Sequence, residues 1–269
     1  MRTGLLLGRE HELLDAVASV SEGPVAIALS RGGAPKTYDH RDPNEDACAF
    51  ASTEHAVMLA VADGHWGAGG AACVLERLLA EHAKRWTAPN AIALAERWWD
   101  EAPEVVDDLQ QHLLRSSDPQ PIGRTTLSLC VARPEEGWLL GLAVGDSHLF
   151  RIEDDRAREL CPLPARSDLR FLGDATLDRD ALSKGIRAVV ERDVSGGALL
   201  LATDGLSETG IGVHDPVGAA AECAVAAEHA PNALRSLEGA RCLLERAMDA
   251  HRTNAAGDNI ATAAFWWGA

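Results

Sequence analysis

Basic residues are in short supply: 25 lysines and arginines stand against 41 aspartates and glutamates, a formal net charge of −16 at pH 7. A field of that sign repels polyphosphate backbones and anionic lipid, which excludes nucleic acid and membrane surfaces as partners. Long apolar runs are missing too. Leu5, Leu6 and Leu7 run straight into Arg9, Glu10 and His11, too short for a signal peptide or a membrane span, so a cytoplasmic protein is expected. The six cysteines include no C-x-x-C pair, which removes the usual spacing of a zinc site. Cys48, Cys73, Cys130, Cys161, Cys223 and Cys242 read as reduced, mostly buried small hydrophobes with no disulfide framework. No internal repeat, low-complexity run or Gly/Ser linker interrupts the chain, and a single domain over residues 1–269 is expected.

What is present is a series of short apolar runs bounded by Gly, Asp or charged residues. Residues 25–29, 56–62, 126–132, 138–144, 148–152, 198–202 and 260–267 read as buried strands. Ala71, Val74, Leu75, Leu78 and Leu79 share one helical face, as do Leu234, Leu237, Leu244 and Met248. Residues 91–114 also read as helical, broken near Pro103. Consecutive strands with helices inserted between groups of them, rather than alternating βαβ units, predict an α+β fold of antiparallel sheets covered by helices. Residues 153–187 show no clean period and read as a long surface excursion of the kind that covers active sites.

Several apolar strands end in Asp next to Gly: Asp63-Gly64, Gly145-Asp146, Asp204-Gly205 and Gly257-Asp258, with Asn44-Glu45-Asp46 upstream. One such Asp is ordinarily a turn former or a helix cap. A set of them gathered at one sheet edge would repel and resist desolvation unless the carboxylates shared cations or took up protons. All-oxygen ligands favour Mg²⁺, Mn²⁺ or Ca²⁺ over zinc.

The strings Arg41-Asp-Pro-Asn-Glu-Asp46, Asp63-Gly-His-Trp-Gly67, Gly145-Asp-Ser147, the run from Leu199 to Glu208 and Gly257-Asp-Asn-Ile260 occur in that order. Together, over about residues 28–267, they resemble the metal-dependent protein Ser/Thr phosphatases of type 2C, in their bacterial form. The resemblance implies a four-layer αββα sandwich of two antiparallel sheets flanked by helices, with a binuclear Mn²⁺ or Mg²⁺ centre at one end. Position by position, it implies that Asp63 bridges both metals with the Gly64 carbonyl on one of them. Asp204 and Asp258 would bind the other metal, Asp46 and Glu45 would hold the centre directly and through water, and Asp146 would hold a third, weaker ion. Arg41 matches the phosphate-binding arginine, whose fork can meet two phosphate oxygens. His65, beside Asp63-Gly64, is placed to protonate the leaving alkoxide as general acid. The implied activity is hydrolysis of phosphoserine and phosphothreonine on proteins by a metal-activated water, opposing a Ser/Thr kinase, in a monomer.

Some positions depart from the family pattern. His148 follows Gly145-Asp146-Ser147 where the family often has Arg, and its Asp-His motif is not recognisable in residues 161–168. Arg124, Arg166 and Arg170 either add charge near the mouth or are scattered surface residues. Trp66, Trp98, Trp99, Trp138, Trp266 and Trp267 read as core or helix-packing residues rather than a ligand platform. Two alternatives stand beside the leading reading: a non-catalytic phosphoprotein-binding regulator of the same fold, and a phosphatase for a small phosphomonoester. The full set of carboxylates argues against the first, because folding alone does not require them.

Overall fold

The strongest strands do not alternate. Val25–Ser30 and Val57–Ala62 are buried at every position, a pattern that demands cover on both faces. A computed structural model, describing residues 1–115, 123–154 and 156–267, supplies that cover in four layers.

The strands are β1 (Arg2–Leu7), β2 (Val17–Glu22), β3 (Val25–Ser30), β4 (Ala47–Ser52), β5 (Val57–Ala62), β6 (Gly64–His65), β7 (Arg124–Thr125), β8 (Leu127–Arg133), β9 (Trp138–Val144), β10 (His148–Glu153), β11 (Arg156–Glu159), β12 (Arg187–Arg192), β13 (Gly197–Ala202) and β14 (Ile260–Trp267). The helices are α1 (Gly69–Arg77), α2 (Ala83–Trp86), α3 (Leu94–Leu114), α4 (Arg179–Ser183), α5 (Pro216–Glu228) and α6 (Arg235–Asn254). One sheet runs β1-β4-β5-β8-β9-β12 and the other β11-β10-β13-β14-β3-β2, with every pairing within them antiparallel.

Three apolar clusters separate the four layers. The first lies between the β5 sheet and α1 and α3, with Leu75, Trp98, Leu129 and Leu142 in it. The second lies between the sheets, where Ile27, Phe50, Leu59, Leu199 and Phe265 meet. The third packs α5 and α6 on the β13 sheet through Leu200, Ala220, Leu243 and Met248. Each fully buried Leu, Ile or Phe contributes roughly 1.5–3 kcal/mol, so the αββα sandwich is held mainly by these three interlayer fillings.

The structure corrects three expectations. Helix α3 runs unbroken through Pro103. Proline there removes the N–H that would reach the carbonyl of residue 99, and Trp99 is 61% exposed, so water can serve that carbonyl. Cys223 and Cys242 are joined by a disulfide, Cα atoms 5.5 Å apart, that ties α5 to α6; Cys48, Cys130 and Cys161 are buried thiols as expected. The excursion over 153–187 is not featureless. It holds β11 and α4, and Leu172 exchanges backbone hydrogen bonds with Thr125. No helix among the described residues is long and apolar enough to cross a membrane.

Candidate metal centre

The carboxylates gather where strands of both sheets end. Asp46 precedes β4 and Asp63 follows β5, and the register Ala47↔Ala62 sets them side by side. From the opposite sheet come Asp204 after β13 and Asp258 before β14, while Asp146 sits on the turn joining β9 to β10. Asp63, Asp146 and Asp204 bring one carboxylate oxygen each within 4.8 Å of one another.

Backbone and hydroxyl contacts fix these positions. The Asp63 N–H donates to Thr126 Oγ1 at 2.9 Å, and the Asp63 carbonyl accepts from Thr125 Oγ1 and from the Thr126 N–H, both at 2.9 Å. Thr126 Oγ1 lies 2.7 Å from Ser147 Oγ, which couples Asp63 to the Asp146 turn. Thr203 Oγ1 donates to Asp46 Oδ2 at 2.6 Å and accepts from the Ala261 N–H, so one hydroxyl ties the two sheets together beside the site. Asn259 accepts from the Glu45 N–H at 2.7 Å and donates to the Arg31 and Pro43 carbonyls. Glycine is required next to the ligands: a Cβ on Gly64 would stand 2.5 Å from the Glu45 carbonyl oxygen, and one on Gly205 only 1.8 Å from that of Asn259.

The electrostatics record the crowding. Desolvation pushes the Asp63 carboxyl well up, with Asp204 the next cause, and does the same to Asp204, with Asp258 next. Asp46 is pushed up to about 7 by burial and then by Asp258, against the Thr203 hydrogen bond. Asp146 Oδ1 is buried without a protein partner. Protons or cations must fill such a site, and a trio of converging carboxylate oxygens with one orphaned oxygen fits hard divalent cations.

The remaining expected residues are placed as follows. Glu45 is buried, but its Oε1 accepts from the N–H groups of Arg41 and Asp42 and its Oε2 from Lys36 Nζ. Asp258 Oδ1 accepts from Tyr38 Oη and from the Asn259 N–H. Arg41 is on an exposed stretch beside Gly67, where an added Cβ would lie 3.4 Å from Arg41 Cδ. His65 Nδ1 is 3.2 Å from Asp63 Oδ2, and its ring lies 4.7 Å from that of Phe171. Burial holds His65 below its ordinary value, with Asp146 opposing and Arg124 reinforcing the shift. Arg124 pairs with His65 across β6 and β7, stands 5.3 Å over the Phe171 ring and lies 3.7 Å from Asp174 Oδ2.

A cavity of about 370 Å³ opens on the centre, lined among others by Tyr38, His65, Trp66, Glu208, Ile211 and Asp258. Trp66 corrects the expectation that it packs in the core: it is 56% exposed. Lys36 and Tyr38 were not foreseen, because only the fold joins them to residue 258. Burial alone would push Lys36 down, and Asp258, Glu45, Asp46 and Asp63 more than reverse it, leaving it raised.

An αββα sandwich with clustered carboxylates at the end where its sheets meet defines the class of metal-dependent phosphatases. The profile of the family described as "Protein phosphatase 2C" matches residues 35–262, and the chain belongs to that family. Among solved structures, a variant of a bacterial serine phosphatase is similar over 92% of this chain and 99% of its own, with TM-score 0.63 and 19% identity. The PPM Ser-Thr phosphatase MsPP from Mycobacterium smegmatis, in complex with cacodylate, covers 95% of this chain and 99% of its own, with TM-score 0.55 and 23% identity. The catalytic domain of the serine threonine protein phosphatase PstP, in complex with two manganese ions, covers 93% and 99%, with TM-score 0.58 and 17% identity. No curated protein sequence matches the chain.

Proposed function

We propose that this chain is a single-domain cytoplasmic enzyme that hydrolyses phosphoserine and phosphothreonine esters on proteins, with two Mn²⁺ or Mg²⁺ ions, opposing a Ser/Thr kinase. The observation that carries the reading is the convergence of Asp63, Asp146 and Asp204 within 4.8 Å beside an open cavity. Asp63, Asp204 and Asp146, with Asp46 and Asp258 next to them and the Gly64 carbonyl, would hold the ions. Bound there, the ions supply Lewis acidity, acidifying water and drawing charge from phosphoryl oxygens.

The chain's own groups do the rest. Arg41 presents a guanidinium fork to the phosphoryl oxygens, its backbone pinned by the N–H bond to Glu45. His65 turns Nδ1 toward Asp63, which leaves Nε2 as the atom that carries a proton to the leaving alkoxide. Donating that proton requires the doubly protonated ring, which burial disfavours and the Asp146 carboxylate favours.

The test is Mn²⁺-dependent phosphate release from a phosphothreonine peptide by wild type, Asp63→Asn and Asp204→Asn, with folding matched by circular dichroism. Release that needs the ion and vanishes in both variants supports the reading. Release of phosphate from small phosphomonoesters but from no phosphopeptide would replace it with a metabolite phosphatase.

A further inference from the structure

The acidic centre contains a cation supplied by the chain itself. Lys36 bridges Gly257 backbone to backbone, and the Gly257 N–H donates to the Pro35 carbonyl at 3.0 Å, so the lysine leaves the main chain next to Asp258. Its Nζ is 3.1 Å from Glu45 Oε2 and 3.6 Å from Asp258 Oδ1, and its side chain is 3% exposed. A lysine on a flexible surface arm would keep its head in water; this one is held inside.

The two sides of the centre differ in what remains to be satisfied. On the Lys36 side, both Glu45 oxygens accept from this chain's own donors, and Asp258 Oδ1 accepts from Tyr38 and the Asn259 N–H with the ammonium beside it. On the other side, Asp63, Asp146 and Asp204 converge, and Asp146 Oδ1 has no protein partner. A divalent ion meets repulsion from an ammonium on the first side and an unfilled oxygen on the second.

We propose that Lys36 is a resident counter-charge of this centre: it neutralises Glu45 and the Oδ1 side of Asp258, leaves Asp258 Oδ2 with Asp63, Asp146 and Asp204 to the divalent cations, and weakens their binding. The inference rests on the metal-dependent reading only for the identity of the ion. Nothing in it requires a bond to form or break at the lysine.

The experiment titrates metal-free protein with Mn²⁺ by calorimetry, comparing wild type, Lys36→Met, Lys36→Gln and Lys36→Arg. Removing the charge is expected to tighten Mn²⁺ binding about tenfold or more, or to add an ion per chain, because like charges a few ångströms apart repel strongly away from bulk water. Lys36→Gln keeps a hydrogen-bond donor without the charge, and Lys36→Arg keeps the charge and is expected to bind as wild type does. Both neutral variants leave Glu45 and Asp258 without their cation, so melting temperature is read in EDTA and in Mn²⁺: lower than wild type in EDTA, and raised further by the ion. Wild-type affinity and stoichiometry in both neutral variants, with binding still lost in Asp63→Asn, overturns the inference and leaves the phosphatase reading standing. Failure of wild type and all variants to bind Mn²⁺ or Mg²⁺ overturns both.

Discussion

His148 Nε2 lies 2.6 Å from Ser207 Oγ, and its Nδ1 lies 3.0 Å from Glu159 Oε2. This chain of three side chains runs from β11 through β10 to the turn that carries Asp204 and Glu208. The ring is 1% exposed and stacks on Phe150 at 5.2 Å. His148→Ala is expected to cost about 2 kcal/mol, because Glu159 and Ser207 lose a buried partner along with the packing; urea unfolding measures it. Ser207→Ala, which leaves the His148–Glu159 bond, is expected to cost about 1 kcal/mol or less.

Metal-free protein should lose stability as pH rises. Asp46 titrates near 3.8 when unfolded and at about 7 when folded, so between those values the folded state binds more protons and stability falls with pH. Its contribution is fully present below pH ~4 and is lost as pH rises through about 7; Asp63 and Asp204, also raised, act in the same direction. Melting temperatures in EDTA across this range test the slope. Asp46→Asn is expected to flatten it, and saturating Mn²⁺ to reverse it, because the ion requires deprotonated carboxylates.

Trp66 holds a backbone φ of +68°, a left-handed conformation unusual for a bulky side chain. Strain of this kind costs on the order of 1–3 kcal/mol and persists where its surroundings enforce it. Trp66→Gly is therefore expected to stabilise the fold by about 0.5–1 kcal/mol, as glycine adopts φ > 0 freely at some cost in chain entropy. The same variant should raise KM for phosphopeptides while leaving hydrolysis of p-nitrophenyl phosphate unchanged, since the indole lines the cavity wall and not the carboxylate cluster. Unchanged KM for every peptide would remove Trp66 from substrate binding.

The Cys223–Cys242 bond closes a loop with a sequence separation of 19 residues. Loop entropy gives such a closure about 3 kcal/mol. Dithiothreitol, or Cys223→Ser, is expected to lower the urea midpoint accordingly while leaving Mn²⁺ binding intact, because the bond joins α5 to α6 within the apolar layer that packs these helices on the β13 sheet.

The strands legible in the sequence are long apolar runs that are buried over most or all of their length: Trp138–Val144 and Ile260–Trp267 appear in the structure with the expected bounds. Strand β4 was hidden because Ala47–Ser52 is built mostly from small residues, and β2 because its residues are largely exposed. Helix α5 is alanine-rich with apolar residues around most of its circumference, so it shows no clear stripe. The Asp-Gly turns marked the cluster, since short turns at strand ends are local features. What sequence could not show is pairing at a distance: Tyr38 meets Asp258 across 220 positions, and His148 meets Ser207 across 59.

The seam between the sheets carries a further consequence. Asp46 and Asp63 belong to one sheet and Asp204 and Asp258 to the other, so the interlayer filling around Phe50, Leu59 and Leu201 acts as a spacer for the acidic centre. Sheets in this arrangement pack ~10 Å apart, and a lost methylene at Leu59 or Leu201 would alter carboxylate separation without touching a ligand. The distance between the two halves of the acidic centre is thus set from the apolar interior as well as by the aspartates themselves.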